Sequence, residues 1–204
     1  GNKYDLILMD IMMPNMNGEK CIEELKKIEG FRGIDKLKFN KSITFFVGEN
    51  GSGKSTLLEA LAVAHGFNPE GGTKNYDFST YDNHSELCDA IKIQKSHRKE
   101  RWGYFLRAES FYNVATQEEE YDDAEHPSEK YHERSHGESF LALAQKHLQP
   151  NSLYFFDEPE AALSPQRQLT LLMQIYSCAK EGAQFIIVTH SPILLGIPDA
   201  DIYC

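Results

Sequence analysis

Apolar positions along the chain fall into two alternating patterns. Short runs are apolar at nearly every position: Ile43 to Val47, Leu153 to Phe156 and Gln184 to Val188. Runs of that length, β-branched and aromatic, predict strands buried on both faces. Between them lie segments of helical period. Thr56 to Ala62 opens an amphipathic helix. Ser139 to Leu148 carries Phe140, Leu141, Leu143, Ala144, His147 and Leu148 on or near one face. A third helix is predicted from Ser164 as N-cap and Pro165 as first helical residue, through about Lys180, stopping at Gly182. Gly103 to Leu106 reads as another strand. Leu37 and Phe39 alternate with Lys36 and Lys38, as in a half-exposed strand leading into Ile43. Strands alternating with helices predict an α/β fold with a mostly parallel central sheet and helices on both faces.

Other stretches are less regular. Residues 4–10 read as a strand ending at Asp10, followed by a loop with Pro14 and a short helix over Gly18 to Glu29. Residues 66–87, rich in Gly, Asn, Asp, Ser and Thr, read as a surface insertion with turns. Leu87 to Ile93 fits a strand or a short helix. Lys92 to Arg101 is basic, but Glu100 interrupts it and only Trp102 and Tyr104 supply nearby aromatics. It reads as an edge-strand or hairpin decoration rather than a nucleic-acid patch. Glu118 to Glu125 is an acidic loop.

Composition narrows the class. The 204 residues carry 21 Lys and Arg against 31 Asp and Glu, a formal net charge of −10. That balance disfavours a general attraction to nucleic acid or anionic lipid. Cys21, Cys88, Cys178 and Cys204 are widely spaced, with no C-x-x-C pair, and fit reduced thiols of a cytoplasmic protein. No apolar run is long enough for a membrane span, and the start shows no signal-peptide pattern. Gly1 in place of Met fits a trimmed chain, and the end soon after a possible last strand suggests C-terminal truncation.

The chemistry concentrates after Val47. Gly48, Glu49, Asn50, Gly51, Ser52, Gly53, Lys54 and Ser55 fit G-x-x-x-x-G-K-[ST] at every fixed position, with Thr56 opening the helix. Glycines let such a loop turn its N–H groups inward as an anion nest at a helix N-terminus. Lys54 supplies a point charge for β- and γ-phosphates, and the Ser55 hydroxyl is a hard ligand for Mg²⁺. Farther on, Ser135, Gly137 and Glu138 precede an apolar helix. The strand at Leu153 delivers Asp157 and Glu158, and the strand at Gln184 delivers His190. Carboxyl ends of parallel strands are where ligands bind, so one nucleotide can meet the loop, Asp157, Glu158 and His190.

In this order the motifs resemble those of an ATP-binding-cassette ATPase, a P-loop NTPase, over residues 31–204. Gly48 to Ser55 is similar to the Walker A motif and Leu153 to Asp157 to Walker B. Ser135 to Glu138 resembles the signature, written with Glu as in chromosome-maintenance and recombination ATPases, and His190 resembles the switch histidine. The resemblance implies ATP and Mg²⁺ as ligands, with Asp157 and Ser55 on the metal. It implies Glu158 as general base or water-positioning group, His190 as a γ-phosphate donor, and Ser135, the Gly137 N–H and Glu138 as a second anion site. Two such sites far apart in one chain imply a head-to-tail homodimer, each signature capping the partner's ATP. A further, unidentified partner protein fits the class.

Some positions depart from the pattern. Arg107 or Glu109 sits near the place of the usual Gln, Ser164 stands where Asp is usual, and Phe31 and Phe39 are the available aromatics for adenine. Residues 1–30 resemble a fragment of a two-component receiver, with Asp10 as its phosphoacceptor. They lack the other acids that phosphoryl transfer needs and are expected to be non-functional. The alternative reading is the nucleotide-binding subunit of a membrane transporter, which the absent Gln disfavours. A signalling module built on Asp10 and a nucleotide kinase are weaker options, the latter leaving the signature and His190 unexplained.

Overall fold

The computed structural model describes residues 8–10, 36–74, 87–94, 100–108 and 136–204. Ser135, Glu109, Phe31, the expected helix at 18–29 and the acidic run at 118–125 lie outside them.

Five strands make the main sheet: β3 (Ile43–Phe46), β5 (Gly103–Arg107), β6 (Leu153–Asp157), β7 (Gln184–Val188) and β8 (Asp201–Tyr203), in the order β5-β6-β7-β3-β8. Every pairing in it is parallel. Helix α1 (Lys54–His65) follows β3, α3 (His136–His147) precedes β6, and α4 (Pro165–Lys180) joins β6 to β7.

The short strands read as apolar at every position because both faces are covered. Phe45, Leu106, Phe156 and Ile187 pack on one side with Phe140 and Leu143 of α3 and Leu171 and Ile175 of α4. Phe46, Phe105, Phe155 and Val188 point to the other side, against Leu57, Leu58 and Leu61 of α1. The side-chain alternation of period two thus divides one sheet between two cores. The α/β class with a mostly parallel sheet and helices on both faces stands.

A smaller antiparallel sheet has the order β2-β1-β4, from β1 (Leu8–Asp10), β2 (Lys36–Lys38) and β4 (Lys92–Gln94). The strand that ends at Asp10 is therefore hydrogen-bonded between two strands from beyond residue 30.

Four local expectations change. Helix α3 begins at His136, before the expected Ser139. Leu87 to Ile93 contains both options, a turn of helix α2 (Leu87–Ala90) and then β4. Residues 71–73 are not a surface insertion but buried. Gly72 exchanges both backbone hydrogen bonds with Phe105, at 2.7 and 2.9 Å, and so covers the outer edge of β5. Phe39 is no candidate for adenine. It is 1 % exposed and set edge-on to Phe46 in the core.

Candidate functional site

The register brings four strand ends side by side. Phe46 pairs with Val188, Val188 with Asp157, and Asp157 with Arg107. The loop after β3, the turn after β7 and the acidic pair after β6 therefore leave the sheet along one carboxyl edge.

The loop from Val47 to Gly53 turns where a side chain would be strained. Gly51 has φ +78° with open space around its Cα, so its requirement is conformational. Gly53 caps α1 in the left-handed region, at φ 84°. No side chain caps this helix start, which leaves its first N–H groups to the loop. Lys54 is buried inside the turn. Its Nζ donates to the carbonyls of Gly48 at 3.0 Å and Glu49 at 2.7 Å, and to Ser52 Oγ at 3.2 Å. Glu49 and Asn50 are exposed at the tip, and Thr56 is half-buried at the start of α1.

Ser55 and Asp157, far apart in sequence, meet here. Ser55 Oγ donates to Asp157 Oδ1 at 2.8 Å. A hydroxyl and one carboxylate are hard oxygen donors that fit Mg²⁺, an ion that keeps several waters and takes phosphate oxygens for the rest. No group of three or more His, Cys, Asp or Glu among the described residues could hold a metal by itself.

Glu158 adopts φ 47°, ψ 51°, unusual for a residue with a side chain. Its N–H donates to Val188 O at 3.0 Å and its carbonyl accepts from Ala161 N–H at 3.0 Å. Such conformations cost about 1–3 kcal/mol and persist where surrounding bonds over-determine them. Here they turn a half-exposed carboxylate out of the sheet edge. His190 Nε2 stands 3.6 Å from Glu158 Oε1, and the His190 N–H donates to Glu160 Oε1 at 2.5 Å.

Gly137 and Glu138, at the start of α3, contact different neighbours. A Cβ on Gly137 would come within 2.5 Å of Ala162 O and 2.9 Å of Arg167 Nη1, so this glycine permits close packing. Glu138, exposed, accepts from Arg167 Nη2 at 2.8 Å.

Two further side chains of this edge, Gln168 and Glu59, belong to none of the motifs. Gln168 accepts from Ser191 Oγ at 2.6 Å and donates to Leu163 O at 3.0 Å, tying the loop after His190 to the turn after Glu158. Arg107 reaches both Asp157 and Glu59, which lies one helical turn beyond Ser55 on α1. Glu59 carries a signal in its i+4 spacing from Ser55, and Arg107 in its place near that of the usual Gln. Gln168 carries none.

The family model described as an AAA domain matches residues 24–183. Among solved structures, the SMC head domain from Thermotoga maritima overlaps with a TM-score of 0.44 and 14% identity, covering 96% of this chain and 91% of that one. No curated protein matches. No helix among the described residues is long and apolar enough to cross a membrane. With a family match over most of its length, around a glycine loop closed on Lys54, the chain belongs to the AAA-domain family and is a P-loop ATPase.

Proposed function

We propose that the protein binds and hydrolyses ATP with Mg²⁺ as a head-to-tail dimer of the ATP-binding-cassette kind. The 2.8 Å bond from Ser55 to Asp157 carries this reading, because it joins the phosphate loop to the acidic strand end. Lys54 neutralises the β- and γ-phosphates once its loop carbonyls exchange it for them, while the loop N–H groups hold the phosphate oxygens. Bound Mg²⁺ supplies charge neutralisation at the phosphates, and Ser55 and Asp157 would hold it.

Glu158 orients the attacking water and takes its proton. His190, beside that carboxylate, donates to the γ-phosphate. Glu160 anchors the His190 backbone and Gln168 the following loop, so loss of the γ-phosphate is felt at the turn that precedes α4.

Ser135, Gly137 and Glu138 serve the ATP of the second copy. Support for this comes from Glu138, whose carboxylate is exposed and positioned by Arg167. Mixing two inactive variants tests the arrangement. Lys54→Ala and Ser135→Arg proteins should each be inactive alone, whereas their mixture assembles one intact site per heterodimer and regains hydrolysis. A mixture as inactive as its components contradicts the shared site.

A further inference from the structure

Arg107 occupies an unexpected place for a cation. It ends β5 directly beside Asp157 on β6. Its side chain is 17% exposed and fixed from three directions. Nη1 donates to Glu59 Oε2 at 2.7 Å and to the Pro69 carbonyl at 2.9 Å, and Nε lies 3.7 Å from Asp157 Oδ2. The guanidinium also rests over the Phe105 ring at 5.7 Å. The two oxygens of Asp157 are thus divided. Oδ1 accepts from Ser55, and Oδ2 faces the guanidinium charge.

We propose that Arg107, as a fixed counter-charge behind the Asp157 carboxylate, keeps the divalent-ion affinity of the site low. The proposal rests on the reading of Ser55 and Asp157 as metal-holding groups. Its physical content is a balance of charges. Asp157 and Glu59 attract a divalent cation, and Arg107 offsets one of the two. An ion held loosely by the protein arrives and departs with the nucleotide instead of remaining as a resident metal. Glu59 sets the strength of the effect by partly neutralising Arg107 and holding it in place. Removing the cation and removing its anionic anchor therefore have opposite consequences.

Mn²⁺ binding in the presence of ADP, followed by the loss of the free-ion electron paramagnetic resonance signal, reads the affinity without turnover. Arg107→Gln should tighten Mn²⁺ binding about tenfold, because a repulsion between the ion and a nearby charge is removed. Glu59→Gln should weaken it by about the same factor. Arg107→Lys keeps the charge and should stay within about threefold of the wild type. A structural role alone would move thermal stability in all three variants without opposite signs in ion affinity. Arg107→Gln binding Mn²⁺ no more tightly than the wild type overturns the proposal. If Arg107→Gln does not fold, Glu59→Gln with unchanged or tighter Mn²⁺ binding overturns it equally. Wild-type protein that binds no Mn²⁺ with ADP overturns the metal reading itself, and the proposal with it.

Discussion

The start of α1 and the start of α3 are both helix N-termini fitted with glycine, yet they are finished to different degrees. At α1 the functional groups close on one another within the chain. Lys54 is folded into its own loop, and Ser55 reaches Asp157 on a neighbouring strand end. At α3 the glycine packs backward onto Ala162, and Glu138 faces outward with Arg167 at its side. Burial and mutual hydrogen bonding pre-organise the first within a single chain. The second presents an exposed carboxylate held by Arg167. In the proposed composite site the first half would bind the nucleotide and the second would be supplied to a neighbour.

Variants can break this contrast. The largest effect belongs to Glu158→Gln, which should lower turnover by roughly 10²–10⁴-fold while leaving ATP affinity intact. Steady-state hydrolysis and fluorescent-nucleotide binding separate the two. Equal losses in both would mean that Glu158 shapes the pocket rather than the chemistry. Lys54→Ala attacks the binding half and should weaken ATP binding by roughly 10²-fold, the scale of a lost charge-assisted contact. A comparable loss of ATP affinity in Glu138→Gln would erase the distinction between the two helix starts.

Gly137→Ala sharpens the contrast from the other side. Its Cβ must displace the Ala162 carbonyl, an overpacking worth about 1–3 kcal/mol. A melting temperature lower by about 2–4 °C per kcal/mol is expected, with ATP affinity of the monomer retained. Gln168→Ala removes the link between Ser191 and Leu163. Turnover should fall about tenfold at most, in line with two partly exposed hydrogen bonds, with binding unchanged.

The smallest effect concerns a residue outside both halves. Burial pushes the Cys178 thiol up to about 11, and its Sγ donates to Gln149 O at 3.1 Å. At neutral pH it should resist iodoacetamide in native protein, whereas exposed Cys204 is alkylated. Equal labelling of both would show that the sheet face under α4 opens readily.

Much of this was legible in the sequence because its signals are local. A fully apolar run of four or five residues followed by an acid or a glycine turn has few structures open to it, and β3, β6, β7 and α4 lie where pattern and capping place them. Pairings between distant segments were not legible. Nothing local says that Gly72 seals the edge of β5, that Phe39 is core rather than ligand surface, or that Arg107 faces Asp157. Those facts depend on strand order and register, which periodicity does not encode. The strained backbone of Glu158 was likewise hidden, since the Pro after it signals only a break in regular structure.

Mass measured by light scattering on Glu158→Gln protein, with and without Mg²⁺ and ATP, tests the shared site most directly. ATP should double the mass of that variant, and adding Ser135→Arg should return it to the monomer while ATP stays bound. A Glu158→Gln protein saturated with ATP and still monomeric at high concentration would contradict the composite site.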